Sequence, residues 1–226
     1  LLNNVTILGH TVIGRNNVFF PNSVMGAAPQ DLKYRGAPTR LEIGDDNVFR
    51  EAVTIHTGTE KGGGVTRVGS QNLLMINAHL GHDVQMANRC IISNNVMVAG
   101  HVVIGSGVAM MGGVGIHHYV SVGDLAYLGG ASRIHHDVPP FVKVDGSDKI
   151  RSLNTVGLRR SGFNEDDIAA LRDAVRRLWF GRQRAFSAAL AEFGAASGLN
   201  PHVRQMVEFL QRRDRGKHGR YLEGLR

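Results

Sequence analysis

From residue 68 to 134 the chain reads VGSQNL LMINAH LGHDVQ MANRCI ISNNVM VAGHVV IGSGVA MMGGVG IHHYVS VGDLAY LGGASR I, and blocks of six bring it into line with itself. The first place of each block is apolar twelve times running: Val68, Leu74, Leu80, Met86, Ile92, Val98, Ile104, Met110, Ile116, Val122, Leu128 and Ile134. Two residues before most of these stands a small or β-branched residue, from Ala78 through Cys90 to Ala126. The residue after is often Gly, Ala or Ser. A helix requires a period near 3.6 and a simple strand a period of 2. Six residues fit a short strand and a corner. Three such units close a triangular coil of 18 residues, and stacked coils bury one continuous core.

The same period runs upstream through Ile7, Ile13, Phe19 and Met25, then Ile43, Phe49 and Ile55. Two polar segments interrupt it, 27–41 (AAPQDLKYRGAPTRL) and 57–66 (TGTEKGGGVT), and read as loops projecting from the prism. Such loops on a rigid scaffold are where binding residues gather. The repeat fades after Ile134 and Pro139-Pro140 ends it. These readings give a prism over 1–142, a connector over 143–162 and a helical domain over 163–226. In that domain Asn164 is an N-cap with Phe163 and Ile168 as a staple. A second helix is expected over about Arg184–Phe193 and a third from Pro201, with a loose basic end from Arg212.

The 226 residues carry a formal charge of +7, 29 glycines and 6% aromatics. Residues 159–226 hold 14 Lys/Arg against 8 Asp/Glu, so the basic character belongs to the tail, where an acidic partner would meet it. No apolar run approaches the roughly 18 residues that span a bilayer, and no signal-peptide pattern opens the chain at Leu1. Neither membrane insertion nor nucleic acid is expected. The lone Cys90 sits at an inward small position and reads as core; one cysteine suits a reducing compartment, the cytoplasm.

Coil arithmetic gathers chemistry at one corner. Residues 18 apart stack about 4.8 Å from one another. His82 thus lies under Gly100 and Gly100 under His118, beside a column of Asp83, His101 and Tyr119 and another of Gly81, Ala99 and His117. His79 is three residues from His82. A histidine oriented by Asp83 suits a general base, and the bare Gly100 N–H suits an oxyanion donor. Acyl transfer to a hydroxyl follows. Solvated surface histidines, or a zinc site such as a carbonic-anhydrase-type hydratase builds from histidines at a subunit contact, are the competing readings.

QDLKYRGAPTRLEIGD (30–45), REAVTIHTGT (50–59), GSQNLLMINAHLGHD (69–83), AGHVVIG (99–105), HHDVPPFV (135–142) and NTVGLRRSGF (154–163) resemble the UDP-N-acetylglucosamine O-acyltransferase family of lipid A synthesis. The resemblance implies that the β-helix is left-handed. It also implies a homotrimer, and transfer of a 3-hydroxyacyl chain from acyl carrier protein to the sugar 3-hydroxyl, with no cofactor and no metal. It makes His82 the base, Asp83 its support and the Gly100 N–H the oxyanion donor. His79, His101 and His118 would contact substrate. Asp31 and Lys33 would hold the sugar or the reacting groups, with His56 nearby. Asn154 and Arg160 would reach the nucleotide, and Gly130 would measure acyl length. A corner glycine required by the backbone is the other reading of Gly130. The chain departs from the family at His118 (usually Gln), at Val156 (usually acidic) and at Ser161 (the second arginine of a pair). Roughly the first 40 residues of the family pattern, about two coils, are not present. A relative acting on an amino-sugar acceptor or using a different acyl donor, and a non-catalytic binding role, are the remaining alternatives.

Overall fold

The computed structural model describes residues 1–181 and 185–225. Two- to five-residue strands form three sheets of seven, six and eight strands, parallel throughout except for the last strand. Together they wrap a left-handed parallel β-helix. Successive coils pair in an 18-residue register: His79 with Met97, Gln85 with Val103, Ile91 with Ala109. Each strand is too short to stand alone, and its backbone donors and acceptors are satisfied only by the coils on either side.

All twelve first-place residues from Val68 to Ile134 point inward and are at most 4% exposed, as are Ala78, Cys90 and Ala126 from the second column. Burying each such side chain is worth about 1.5–3 kcal/mol. Ile7 and Ile13 follow the period without being fully buried, because the first coil has a neighbour on one side only. Burial pushes the Cys90 thiol up to about 11, which leaves it an unreactive part of the core.

The two interruptions do not disturb the register. Val24 pairs with Thr54 across 30 residues and Thr54 with His79 across 25, so the surplus leaves the prism at its edges. Both interruptions are shorter than the polar composition suggests. Arg40–Ile43 and Val65–Val68 are strands, with Leu41, Val65 and Thr66 buried.

The prolines do not end the prism. Val142–Asp145 adds a further parallel strand on Tyr127–Leu128, and Lys149–Leu153 folds back antiparallel on it, so strands run through half of the expected connector. The helices are α1 (Thr155–Arg160), α2 (Glu165–Val175), α3 (Phe186–Ala195), α4 (Pro201–Asp214) and α5 (Tyr221–Gly224). Asn164 caps α2 by accepting the Asp167 N–H at 2.8 Å. Arg184, the expected start of the second helix, lies outside the described residues. The basic end is not loose: Arg220 is buried and α5 is tied to the prism. No helix is long and apolar enough to cross a membrane among the described residues.

Candidate active site

Corner residues of the coils adopt a left-handed backbone, which Asn tolerates best; Asn77 and Asn95 fill that place at one corner. At the adjoining corner the residues are Asp83 (φ 61°), His101 (φ 62°) and Tyr119 (φ 65°). Bulky side chains held in this region cost of order 1–3 kcal/mol each, and such strain clusters where function requires it.

His82 Nδ1 lies 2.8 Å from Asp83 Oδ2. Asp83 also accepts the Thr59 N–H at 2.8 Å and the Thr59 hydroxyl at 2.6 Å. Burial alone would raise the Asp83 carboxyl, but the donors from His82 and Thr59 outweigh it and the group is held below its ordinary value. A buried carboxylate so placed fixes the His82 tautomer with the proton on Nδ1. Nε2 is left as the basic nitrogen.

The His82 ring fills the space where a β-carbon on Gly100 would stand, within 2.5 Å of Cε1 and 2.6 Å of Nε2. Gly100 is therefore glycine for the sake of the imidazole. Its N–H donates to no acceptor among the described residues. Gly62 plays the same part on the other side of the pair, since a β-carbon there would collide with the Asp83 carboxylate.

The remaining histidines extend this corner. His101 stands edge-on to His82, with ring centroids 4.9 Å apart, and stacks on Tyr119 at 4.4 Å. His118 lies edge-on to Tyr119 and beside His117, at 3.8 Å. His79 accepts from or donates to the Thr54 hydroxyl at 2.8 Å and meets His56 edge-on at 4.9 Å. Burial, reinforced by His79 and His82, lowers His56 to about 4; burial and then His82 lower His79 as well. His56 Nδ1 is buried without a partner among the described residues. Burial and neighbouring imidazoles thus favour the neutral form of both His56 and His79.

The first insertion folds back to the same corner. The Lys33 N–H donates to Asp31 at 2.9 Å and lowers its pKa most, while His82 and His101 act on the same carboxylate. Lys33 itself is exposed. Among the described residues, only His82, Asp83 and His101 bring potential metal-ligand atoms together, within 4.8 Å. The Asp83 oxygens in that cluster already accept three short hydrogen bonds, which accounts for the cluster without an ion.

Other expected site residues stand apart. Asn154 is buried and its amide is used internally: Oδ1 caps α1 at Gly157 and Nδ2 donates to Leu125 O at 2.8 Å. One amide hydrogen and one oxygen lone pair of Asn154 are thereby engaged within the chain. Arg160, at the end of α1, is exposed; Arg159 before it pairs with Glu165. Gly130 is at the adjoining corner, beside Ala131 in the column that carries Asn95 and Gly113. A β-carbon there would meet only Gly112 O at 3.5 Å, so the backbone does not require glycine, against the alternative reading. Sequence reasoning missed Thr59, Thr54 and Gly62. Thr59 and Gly62 sit in the second insertion, where Gly62 makes a close approach and Gly63 and Gly64 turn the chain with positive φ.

The profile of UDP N-acetylglucosamine O-acyltransferase, domain 2, matches residues 137–217. A Synechocystis sp. protein named acyl-[acyl-carrier-protein]–UDP-N-acetylglucosamine O-acyltransferase is 44% identical over 218 residues, 95% of this chain and 78% of that one. The solved UDP-N-acetylglucosamine acyltransferase of Bacteroides fragilis is 35% identical with a TM-score of 0.87, covering 93% of this chain and 82% of its own. That of Francisella novicida is 31% identical with a TM-score of 0.88, covering 93% and 78%. The Arabidopsis enzyme is 29% identical with a TM-score of 0.86, covering 96% and 84%. With a left-handed prism, a histidine–aspartate corner and this likeness along nearly its whole length, the chain belongs to the UDP-N-acetylglucosamine O-acyltransferase family.

Proposed function

We propose that this protein transfers a 3-hydroxyacyl chain from acyl carrier protein to the 3-hydroxyl of UDP-N-acetylglucosamine, the first step of lipid A synthesis, in the cytoplasm. The observation that carries the reading is the His82 imidazole, fixed by Asp83 through Nδ1 and lying against Gly100. Nε2 of His82 takes the acceptor proton as the sugar oxygen attacks the thioester carbonyl. The Gly100 N–H donates to the oxyanion that forms. As the intermediate collapses, the imidazolium returns the proton to the departing pantetheine thiolate. Electrons and protons balance within the histidine, and no cofactor enters.

His79, His101 and His118 line the approach, with the neutral His56 behind His79. Asp31 and Lys33 hold the acceptor sugar. Asn154 and Arg160 reach the nucleotide, with Asn154 also capping the short helix that carries Arg160; Val156 and Ser161 give that end a different surface from the usual one. Gly130 sets the acyl length. Three copies assemble into a trimer with the corner in the cleft between prisms, and the excess of Arg and Lys in 159–226 favours docking of the acidic carrier protein there.

The test is an acyl-transfer assay with hydroxyacyl carrier proteins of several lengths and UDP-N-acetylglucosamine. His82→Ala is expected to lower kcat by at least about 10²-fold, the loss typical of a removed general base. Full activity in that variant refutes the mechanism.

A further inference from the structure

The last seven described residues return to the end of the prism, where Tyr221 meets Asp137 across 84 positions of sequence, and they are clamped there. Asp137 is buried at the end of the prism; its Oδ1 accepts the Ser121 N–H at 2.7 Å and its Oδ2 accepts the Tyr221 N–H at 2.8 Å. The Asp137 N–H in turn donates to Gly219 O at 2.8 Å. The buried Arg220 donates from Nη1 to His135 O at 2.7 Å, and its Nε donates to Glu223 at 2.9 Å. A buried carboxylate and a buried guanidinium, each hydrogen-bonded to backbone on the far side of the junction, hold a segment in one place.

That segment is α5, and it places Leu222 and Leu225 on the wall of a cavity of about 610 Å³ whose other lining includes Asp83, His101, Tyr119 and Lys61. Leu225 is 66% exposed, a large apolar side chain left uncovered on a turn whose backbone is firmly anchored. The cavity reaches Asp83, the hydrogen-bond partner of His82, and His101 beside it. Its tail side is the apolar pair Leu222 and Leu225, and its cations are Lys61 from the second insertion and Arg67, which is paired with Glu42. An arm that is apolar near its reactive end and carries a phosphate farther along matches that distribution. A sugar diphosphate, polar throughout, does not.

We propose that Leu222 and Leu225 form a wall against which the thioester-bearing arm of the acyl donor packs, making the C-terminal turn a determinant of donor binding. The inference rests on the acyl-transfer reading above. Neither leucine touches the reacting atoms; they position the donor.

The first experiment compares wild type with Leu222→Ala/Leu225→Ala, with the conservative Leu222→Met as control, in the full-length chain. Both leucines are at least partly exposed, so the melting temperature should hold. The double variant is expected to raise the KM for 3-hydroxyacyl carrier protein about 10-fold, as lost apolar contact predicts, with the KM for UDP-N-acetylglucosamine within about twofold. Leu222→Met should restore most of the loss. An unchanged donor KM, or equal rises in both KM values, overturns the wall.

The second experiment does not depend on turnover. Cys90 is buried with its thiol raised to about 11, so Leu222→Cys introduces the one reactive thiol of the described chain. Alkylation of that variant by a maleimide should slow several-fold with 3-hydroxyacyl carrier protein added and remain unchanged with UDP-N-acetylglucosamine. Equal rates with and without the donor sink the proposal. A wild-type protein without transfer activity would instead sink the acyl-transfer reading, and the alkylation result would still judge the tail.

Discussion

Gly100 and His82 occupy complementary space across one rung of the prism: the imidazole sits where a side chain on Gly100 would begin, with Cε1 2.5 Å from that point. The fit couples the position of the base to the position of the amide one coil above it. Gly100→Ala should therefore cost activity twice, by displacing the imidazole and by blocking access to the N–H. A fall in kcat of about 10²–10³-fold is expected, similar to the loss of an oxyanion donor. Single-turnover kinetics would check it. Kinetics close to wild type would show that the imidazole adjusts without penalty.

Thr59 supplies two of the donors that keep Asp83 ionised in spite of burial. Thr59→Val removes the hydroxyl donor and leaves the backbone one. One charge-assisted bond is worth about 1.5–3 kcal/mol, so kcat/KM should drop by roughly 10- to 100-fold. The folded Asp83 pKa rises toward its unfolded value, so the acidic limb of the pH–rate profile should move to higher pH. An unmoved limb would remove Asp83 from the catalytic titration.

His56 is buried neutral, with a folded pKa of about 4 against 6.5 unfolded. The unfolded chain binds the proton first. Stability from this group is complete above pH 6.5 and is lost as pH falls from 6.5 toward 4, up to about 3 kcal/mol. Denaturant melts at pH 7.5 and 5 should show His56→Gln losing less stability across that interval than wild type does. Parallel losses in the two proteins would show that His56 is solvated.

At Gly130 a β-carbon meets only ordinary van der Waals contacts. Gly130→Met should leave the fold within about 0.5 kcal/mol, the usual range for surface changes. Donor preference should shift toward shorter acyl chains, read from kcat/KM across a chain-length series. The same optimum in both proteins would place the ruler elsewhere.

The sequence made the prism readable because a period of six with an inward apolar residue has few other solutions. The vertical neighbours followed from it, so His82, Gly100, Asp83, His101 and Tyr119 could be placed together before any coordinates existed. Contacts that cross between unlike segments were not readable. Thr59 reaches Asp83 from a loop with no repeat of its own, and the distance between them depends on a backbone path that periodicity does not encode. The strands after Pro139-Pro140 were hidden because each proline stands at a corner, where it breaks no ladder hydrogen bond. The capping role of Asn154 was not readable, because a cap and a binding residue share the same side-chain chemistry. The C-terminal clamp was hidden by its composition, since a run rich in Arg, Lys and Gly reads as solvated until a buried aspartate is found opposite it.

Pairing across 30 and 25 residues, where the repeat is 18, shows that surplus chain can leave the stack and rejoin it in phase. The molecule is thus tolerant and brittle at different addresses. Either excursion can be lengthened at its tip, provided Thr59 and Gly62 keep their places on Asp83, and the imidazoles above will stay aligned with their partners. Deleting one residue from a flat face would instead turn every later side chain out of phase, separating base from amide while leaving composition almost untouched.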